Sequence, residues 1–445
     1  MSNKPGQSDA IVVGGGVSGL AAARELARSG RSVVLLEARP RLGGRIDTRR
    51  PRGWPLPVEM GAEFIHAGNA ELWRLARAAA IRPARLPDSH WLARAGAVRP
   101  IVDLDRRLGV VMNRIHPRGA ADLSFAAYFR RHPARVAADD WALARGFVEG
   151  FEAAPLGEIS ARSLAGESMD ERRQYAVPAG YDALVAKLAD GCARAGARIV
   201  RGMVVRSVAW RRGRARVTAR DAVTGGDRVF SGRAVVVALP LGVLKARSGT
   251  GAVRFRPSLG RAQRSIDGMG MGHVVRINIR FSRAAWRRML PASLRRPRPL
   301  GFGFLHAPSA AVPVWWSLSR HPVLVGWAGG PSARRLLALP GSSRLKRAIS
   351  SLAETLGVAP ALVENGVMDW QASDWTGDPF SRGAYSFTAA GNDGGAAELR
   401  RPLRGTLFFA GEATAAGSEV GTVHGALRSG VRAGRGASRA LGRRR

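Results

Sequence analysis

The stretch from Ala10 to Arg45, AIVVGGGVSGLAAARELARSGRSVVLLEARPRLGGR, constrains the fold more than any other part of the chain. Its apolar start, Ala10–Val13, predicts a buried strand. Gly14, Gly16 and Gly19 follow at the spacing G-x-G-x-x-G. Leu20, Ala23, Leu26 and Ala27 then recur at helical spacing between Val17 and Ser29, and Gly30 can end the helix. Ser32–Leu36 predicts a second strand that delivers Glu37. Strand, glycine turn, helix, strand and acid is the order a dinucleotide site requires. Gly14 lets the chain turn sharply, Gly16 leaves room for a pyrophosphate, and Gly19 lets the helix lie close on the strand. Amides at Val17 and Ser18 open the helix and point at negative phosphates. Glu37 stands where a carboxylate meets an adenosine ribose. A glycine-rich turn in an ordinary α/β unit is the competing reading.

The residues just beyond narrow the cofactor. Glu37-Ala38-Arg39 and then Leu42-Gly43-Gly44-Arg45 add two glycines and two arginines after the ribose acid. A nicotinamide cofactor has no use for a second glycine-arginine turn there. A longer, bent dinucleotide running past the first loop does.

At 445 residues two domains are expected. The lone cysteine, Cys192, excludes a disulfide framework. No apolar run approaches the ~20 residues of a membrane span, and the polar start MSNKPGQSDA has no signal-peptide pattern. A cytoplasmic protein without membrane attachment is expected. The net charge of +37 is almost all arginine, since the lysines are only Lys4, Lys187, Lys245 and Lys346. The arginines are spread out, and the longest basic run is Arg443–Arg445. A dedicated nucleic-acid surface more often clusters its charge among aromatics, so nonspecific polyanion binding at low salt is the expectation. The same charge disfavours long-range attraction of a cation, so local acids must recruit any amine. Glu149 and Glu152 in WALARGFVEGFE are candidates; the alternative is solvated helix-face acids.

Taken in order, Pro51–Pro57 is a proline-rich loop, and Val58–His66 carries the small pair Gly61-Ala62, where backbone can lie flat against a planar ring. Glu71–Ala80 predicts an amphipathic helix. From about Ser89 to Gln174 the Arg- and Ala-rich sequence predicts helix with little strand. A helix is expected over Asp182–Ala189, short strands over Arg198–Val229, and a buried strand over Ala234–Leu239. In His273–Trp286, Val275, Ile277 and Ile279 alternate with Arg276, Asn278 and Arg280. Val314–Trp316 and Val323–Trp327 read as strands of a second sheet, their tryptophans as core or as cage. Thr406–Ala410 is a strand running into Gly411-Glu412-Ala413-Thr414, then Gly421-Thr422-Val423-His424-Gly425-Ala426 and a helix.

These motifs together resemble the flavin-containing amine oxidase superfamily. The resemblance rests on the Ala10–Arg45 unit, Gly61-Ala62, Val177–Tyr181, Pro240–Leu244, the W-x-x-D-P-x-S-x-G-x-Y segment Trp375–Tyr385, and the blocks Phe409–Thr414 and Thr422–Ala426. It implies FAD, with Gly61, Ala62, Glu63 and Trp375 beside the flavin. It implies Val205 at the adenine, Glu412 with Gly411 at the ribityl chain, and Thr422, Val423 and Ala426 at the pyrimidine edge. Tyr385 matches one wall of an aromatic substrate cage, and Thr422 leaves the other wall open. His66 matches a histidine at the substrate channel; otherwise it is a loop or core histidine. His424 is taken as structural. Ala384 stands where monoamine oxidases carry the cysteine bonded to FAD, so noncovalent FAD is implied. The family carries a lysine five residues before an aromatic; counting back from Phe281 gives Arg276, a departure that bears on reaction with oxygen.

The expected fold is a two-domain α/β flavoprotein. A Rossmann-like FAD-binding domain is split over 8–90, 198–250 and 395–445. A mixed sheet-and-helix substrate domain takes 91–197 and 251–394. The resemblance implies oxidation of an amine, with Arg276, Tyr385, His66 and Thr422 at the reacting end, molecular oxygen as acceptor and no metal. An aliphatic polyamine is favoured. The alternatives are an L-amino-acid oxidase, a flavin-dependent desaturase or dehydrogenase, and a basic binding protein with structural FAD.

Overall fold

The computed structural model describes residues 7–66, 68–116, 121–165, 173–295, 302–318, 321–392 and 394–442. The basic run Arg443–Arg445 lies outside them. In chain order, β1 (Gln7–Val13), α1 (Val17–Arg28) and β2 (Val33–Leu36) come first. A hairpin, β3 (His90–Arg94) and β4 (Ala97–Ile101), precedes α2 (Ala138–Gly150) and α3 (Asp182–Arg194). Then come β5 (Arg198–Val200), β6 (Met203–Arg211), β7 (Arg214–Asp221), β8 (Asp227–Val237) and β9 (Arg254–Arg256). The strands β10 (Val274–Phe281), β11 (Phe304–His306), β12 (Val314–Ser317), β13 (Val323–Gly329) and β14 (Val367–Asp374) follow. β15 (Leu407–Phe409) and α4 (Val423–Ala440) end the chain.

Two sheets organise the molecule. The first runs β5-β2-β1-β8-β7-β6-β9, with β15 also on β8. β1 pairs in parallel with both β2 and β8, and β8 with β15. Ala10 and Val12 face one core with α1, α3 and α4, while Ile11 and Val13 face a second. Burial on both faces explains the unbroken apolar runs of these strands. Their carboxyl ends meet the glycine turn at Val13, Glu37 after Leu36, and Gly411 after β15, where such sheets bind ligands.

The second sheet runs β14-β10-β13-β12-β11-β3-β4. Its hairpin β3–β4 corrects the helical expectation for 89–174. Ala95 and Gly96, at φ 48° and 77°, make the tight turn. β3 finds its other partner in β11, some two hundred residues on, so its burial is set by tertiary pairing rather than local pattern. Packing also runs across the expected domain limits. α3 packs in the core under α1 although it falls within 91–197. Phe255 in β9 and the following helix Arg261–Gly268 pack on the first sheet although they fall within 251–394. Among the described residues no helix is long and apolar enough to cross a membrane.

Candidate functional site

One cavity of about 660 Å³ runs between the two sheets. Its size lies in the usual range of about 300–1,000 Å³ for small-molecule sites. All the residues expected at the cofactor and the reacting end line it except Gly19. A Cβ on Gly19 would stand 1.9 Å from the Gly14 carbonyl oxygen, so this glycine serves helix-on-strand packing.

At the dinucleotide end, Gly14 turns at φ 106°. A Cβ on Gly16 would find its nearest neighbour 4.0 Å away, so that glycine leaves open space rather than relieving a clash. α1 starts at Gly16 with no side-chain cap and no acid in its first turn, so its free amides suit a negative ligand. Gly43 N–H donates to the Gly15 carbonyl at 2.9 Å, which lays the second glycine turn on the first. Gly44, Ala38 and Val205 complete this wall. The buried Glu37 carboxylate accepts from the Gly15 amide at 2.6 Å and the Arg39 amide at 2.8 Å. It therefore shapes the loop and keeps lone pairs for a ribose hydroxyl. Arg39 is committed elsewhere: it donates to both Asp378 oxygens at 2.8 Å and to Ser381 at 2.9 Å. An open glycine, an uncapped helix start and a buried acid together fit a dinucleotide.

In the middle of the cavity, Glu412 gathers three segments. It pairs with Arg45 at 2.9 Å and accepts from the Ser386 hydroxyl and, at 3.1 Å, from the Gly421 amide. A Cβ on Gly61 would come 1.9 Å from the Arg45 carbonyl and 3.2 Å from the Trp375 ring. Trp375 is fixed by donating to the Met60 carbonyl at 2.9 Å. Thr422 caps α4: its hydroxyl donates to Glu419 at 2.7 Å and accepts from the Gly425 amide at 3.0 Å. That hydroxyl is occupied, and what remains is a helix start, with Val423 and Ala426, facing the cavity. Tyr385 donates to the Phe151 carbonyl at 2.5 Å. Burial, with Glu152 and Glu412 nearby, pushes its phenol well above the usual range. Ala384 offers no thiol. Cys192 lies under α1, its thiol against the Leu20 carbonyl and pushed up to about 11 by burial.

At the sheet end, β10 points Arg276 into the cavity and Val275, Ile277 and Ile279 into the core. Arg276 is 1% exposed. It pairs with Glu63 at 2.7 Å, donates to Asn278 at 3.2 and 3.1 Å, and lies over Trp316 at 5.5 Å. Glu63, expected beside the cofactor, is thus the counter-charge of Arg276. His66 and His424 meet edge to face at 6.0 Å. Burial lowers each to about 4, so both are neutral near pH 7, and His424 Nδ1 has no partner among the described residues. His424 therefore joins the cavity wall. Glu152 lines the cavity and Glu149 does not.

Sequence reasoning missed a second histidine pair. His90 Nδ1 and His306 Nε2 lie 3.0 Å apart, with the rings stacked on each other and His90 on Phe304. Burial lowers His306 to about 3 and lowers His90 too, against the raising effect of Asp88 and Asp105. The available signal was the alternation Phe304-x-His306 beside a tryptophan-rich strand.

A profile described as flavin containing amine oxidoreductase matches residues 17–436. The chain belongs to that family. Polyamine oxidase 2 of Arabidopsis thaliana is 28% identical, over 95% of this chain and 86% of its own length. Lysine-specific histone demethylase 1 homolog 2 of the same plant is also 28% identical, over 96% of this chain but only 58% of its own length. A putrescine oxidase solved with putrescine bound has a TM-score of 0.77 at 21% identity, over 96% of this chain and 98% of that chain, which shows a shared fold. The family's flavin and the dinucleotide cradle together make the cofactor FAD. It is held noncovalently, and the chain's only thiol, Cys192, is buried under α1. The protein is an FAD-dependent amine oxidoreductase.

Proposed function

We propose that the protein oxidises an aliphatic amine, a polyamine or a close relative, to an imine that water cleaves to an aldehyde and an amine or ammonia. Oxygen takes the electrons and yields hydrogen peroxide. One observation carries this reading: the dinucleotide cradle opens directly into a cavity end walled by Tyr385, Trp316 and Phe304 and lined by His66, His306 and His424. Bound FAD supplies a two-electron acceptor for the carbon beside the amine nitrogen. Gly14, Gly16, Val17, Ser18, Glu37, Gly43, Gly44 and Val205 would hold its dinucleotide part. Gly61, Ala62, Trp375, Glu412, Val423 and Ala426 would hold the flavin part.

The chain's own residues prepare the amine. Tyr385 and the aromatic walls exclude water and orient the carbon next to nitrogen. Neutral His66 accepts an N–H bond without adding positive charge. Four carboxylates at this end (Glu63, Asp88, Asp105, Glu152) stand against three guanidinium groups (Arg85, Arg173, Arg276). A chain of net charge +37 thus keeps its substrate end close to neutral.

The amino-acid oxidase alternative needs an arginine for the substrate carboxylate. Arg276, the buried arginine at this end, is already paired with Glu63 and Asn278. The test is anaerobic mixing of the yellow protein with a panel of amines and amino acids, followed by air. Bleaching by amines supports the reading, and bleaching by amino acids alone transfers it to the alternative. Slow return of colour in air would place the protein among dehydrogenases and implicate Arg276.

A further inference from the structure

The second sheet carries a straight row of residues on its cavity face. Arg276 on β10 stands opposite Trp327 on β13. Trp327 stands opposite Val314 on β12, and Val314 opposite His306 on β11. Directly opposed residues share a face, and all four line the cavity. Three strand spacings separate the ends of the row, about 14 Å. Between a charged end at Arg276 and a polar end at His306 lie only an indole and an isopropyl group.

The polar end is built. Asp88 lies 3.6 Å from His90 Nε2, and His90 Nδ1 is hydrogen-bonded to His306 Nε2. A carboxylate at His90 Nε2 favours the proton there, which makes His90 Nδ1 an acceptor and His306 Nε2 its donor. His306 Nδ1 is then left as a lone pair. Asp105 adds negative field at His90, and Arg85, 3.6 Å from Asp88, offsets part of it. Phe304 stacks on His90 and lies 6.5 Å from His306, giving a ring face for a cation.

We infer that His306, backed by His90 and Asp88, binds the far nitrogen of the substrate, and that the Arg276–His306 row selects linear tetraamines over short diamines. This rests on the amine-oxidation reading above. An extended chain advances about 1.2 Å per bond. A four-carbon diamine, five bonds between nitrogens, spans roughly 6 Å and cannot reach from one end of the row to the other. A tetraamine with three-, four- and three-carbon spacers spans roughly 16 Å and can. The methylenes lie over Trp327 and Val314, and the far nitrogen donates to His306 Nδ1.

The test compares the second-order rate constant of anaerobic flavin bleaching by that tetraamine with the same constant for the four-carbon diamine. The wild type prefers the tetraamine, and His306→Leu lowers the ratio at least tenfold, mostly by raising the tetraamine concentration that half-saturates bleaching. His306→Gln, which keeps an acceptor, restores part of it. Asp88→Asn, on an exposed side chain that does not threaten folding, lowers the ratio about threefold. A ratio unchanged within twofold in both His306→Leu and Asp88→Asn overturns the inference while leaving amine oxidation standing. Failure of every amine to bleach the wild type overturns both.

Discussion

The two ends of the cavity are built by opposite strategies. The dinucleotide end is made of backbone: glycine turns, helix starts and carboxylates that hold amides, drawn from segments 14–45, 205 and 411–426. The substrate end is made of side chains standing on a sheet: Arg276, Trp316, Phe304, His306 and His90. Where backbone forms the surface, almost any side chain is an obstacle. Where side chains form it, chemistry can change while the sheet stays. One end therefore suits a fixed cofactor and the other a variable substrate.

The largest expected effect tests whether glycines at the first end serve the fold or the ligand. Gly19→Ala drives a methyl into the Gly14 carbonyl at 1.9 Å, backbone against backbone. It is expected to cost at least about 4 kcal/mol and to give little soluble protein. Gly16→Ala meets nothing nearer than 4.0 Å. Its apoprotein should melt within a few degrees of the wild-type apoprotein, yet bind FAD at least tenfold more weakly. Thermal melts and FAD titration of both variants check this, and equal melts for the two would erase the distinction. Glu37→Ala, which frees the Gly15 and Arg39 amides, is expected to be largely colourless as isolated; full flavin occupancy would show that the contacts around Glu412 dominate.

Next comes the ion pair that joins the two ends. Arg276→Ala strands Glu63, 7% exposed, without its counter-charge. The expected cost is about 3 kcal/mol, because a lone buried charge is dearer than the pair is favourable. Removing both groups, in Arg276→Met with Glu63→Gln, is expected to cost less than Arg276→Ala alone. Denaturant melts of Arg276→Ala, of the single variants Arg276→Met and Glu63→Gln, and of their double decide it. Additive losses would mean that the two side chains act independently.

The two ends also differed in how well the sequence announced them. β1, α1, β2 and Glu37 were legible because glycine spacing and apolar periodicity are local, and the cradle they make is local too. The roles of Arg39 and Glu63 were half legible. Both line the cavity, but their partners Asp378 and Arg276 lie hundreds of residues away, and no local rule pairs them. The His90–His306 pair was not legible. It exists because β3 aligns in parallel with β11, setting His90 against Phe304, and β3 itself was hidden in sequence of helical composition. α3 was legible as a helix but not as a neighbour of α1, for the same reason.

The smallest expected effect reads the two ends through pH. His66, His424 and His306 are held by burial at about 4, 4 and 3, below the ordinary 6.5. The unfolded chain takes up their protons first, so they contribute stability above pH 6.5 that is lost as pH falls through about 4. Glu59 has the opposite sign. It anchors the start of α3 by accepting from the Tyr181 amide at 2.7 Å, and burial raises it to about 7. Its contribution is complete below pH 4.5 and is lost as pH rises through about 7. Three histidines against one carboxyl give a net loss toward acid, so the apoprotein should melt a few degrees lower at pH 5 than at pH 7. Glu59→Gln removes the opposing group and is expected to steepen that fall, whereas His306→Gln is expected to flatten it. A melting point independent of pH from 5 to 7 in all three proteins would mean that water reaches these imidazoles, and that the substrate end is not the dry, uncharged pocket that sets it apart from the dinucleotide end.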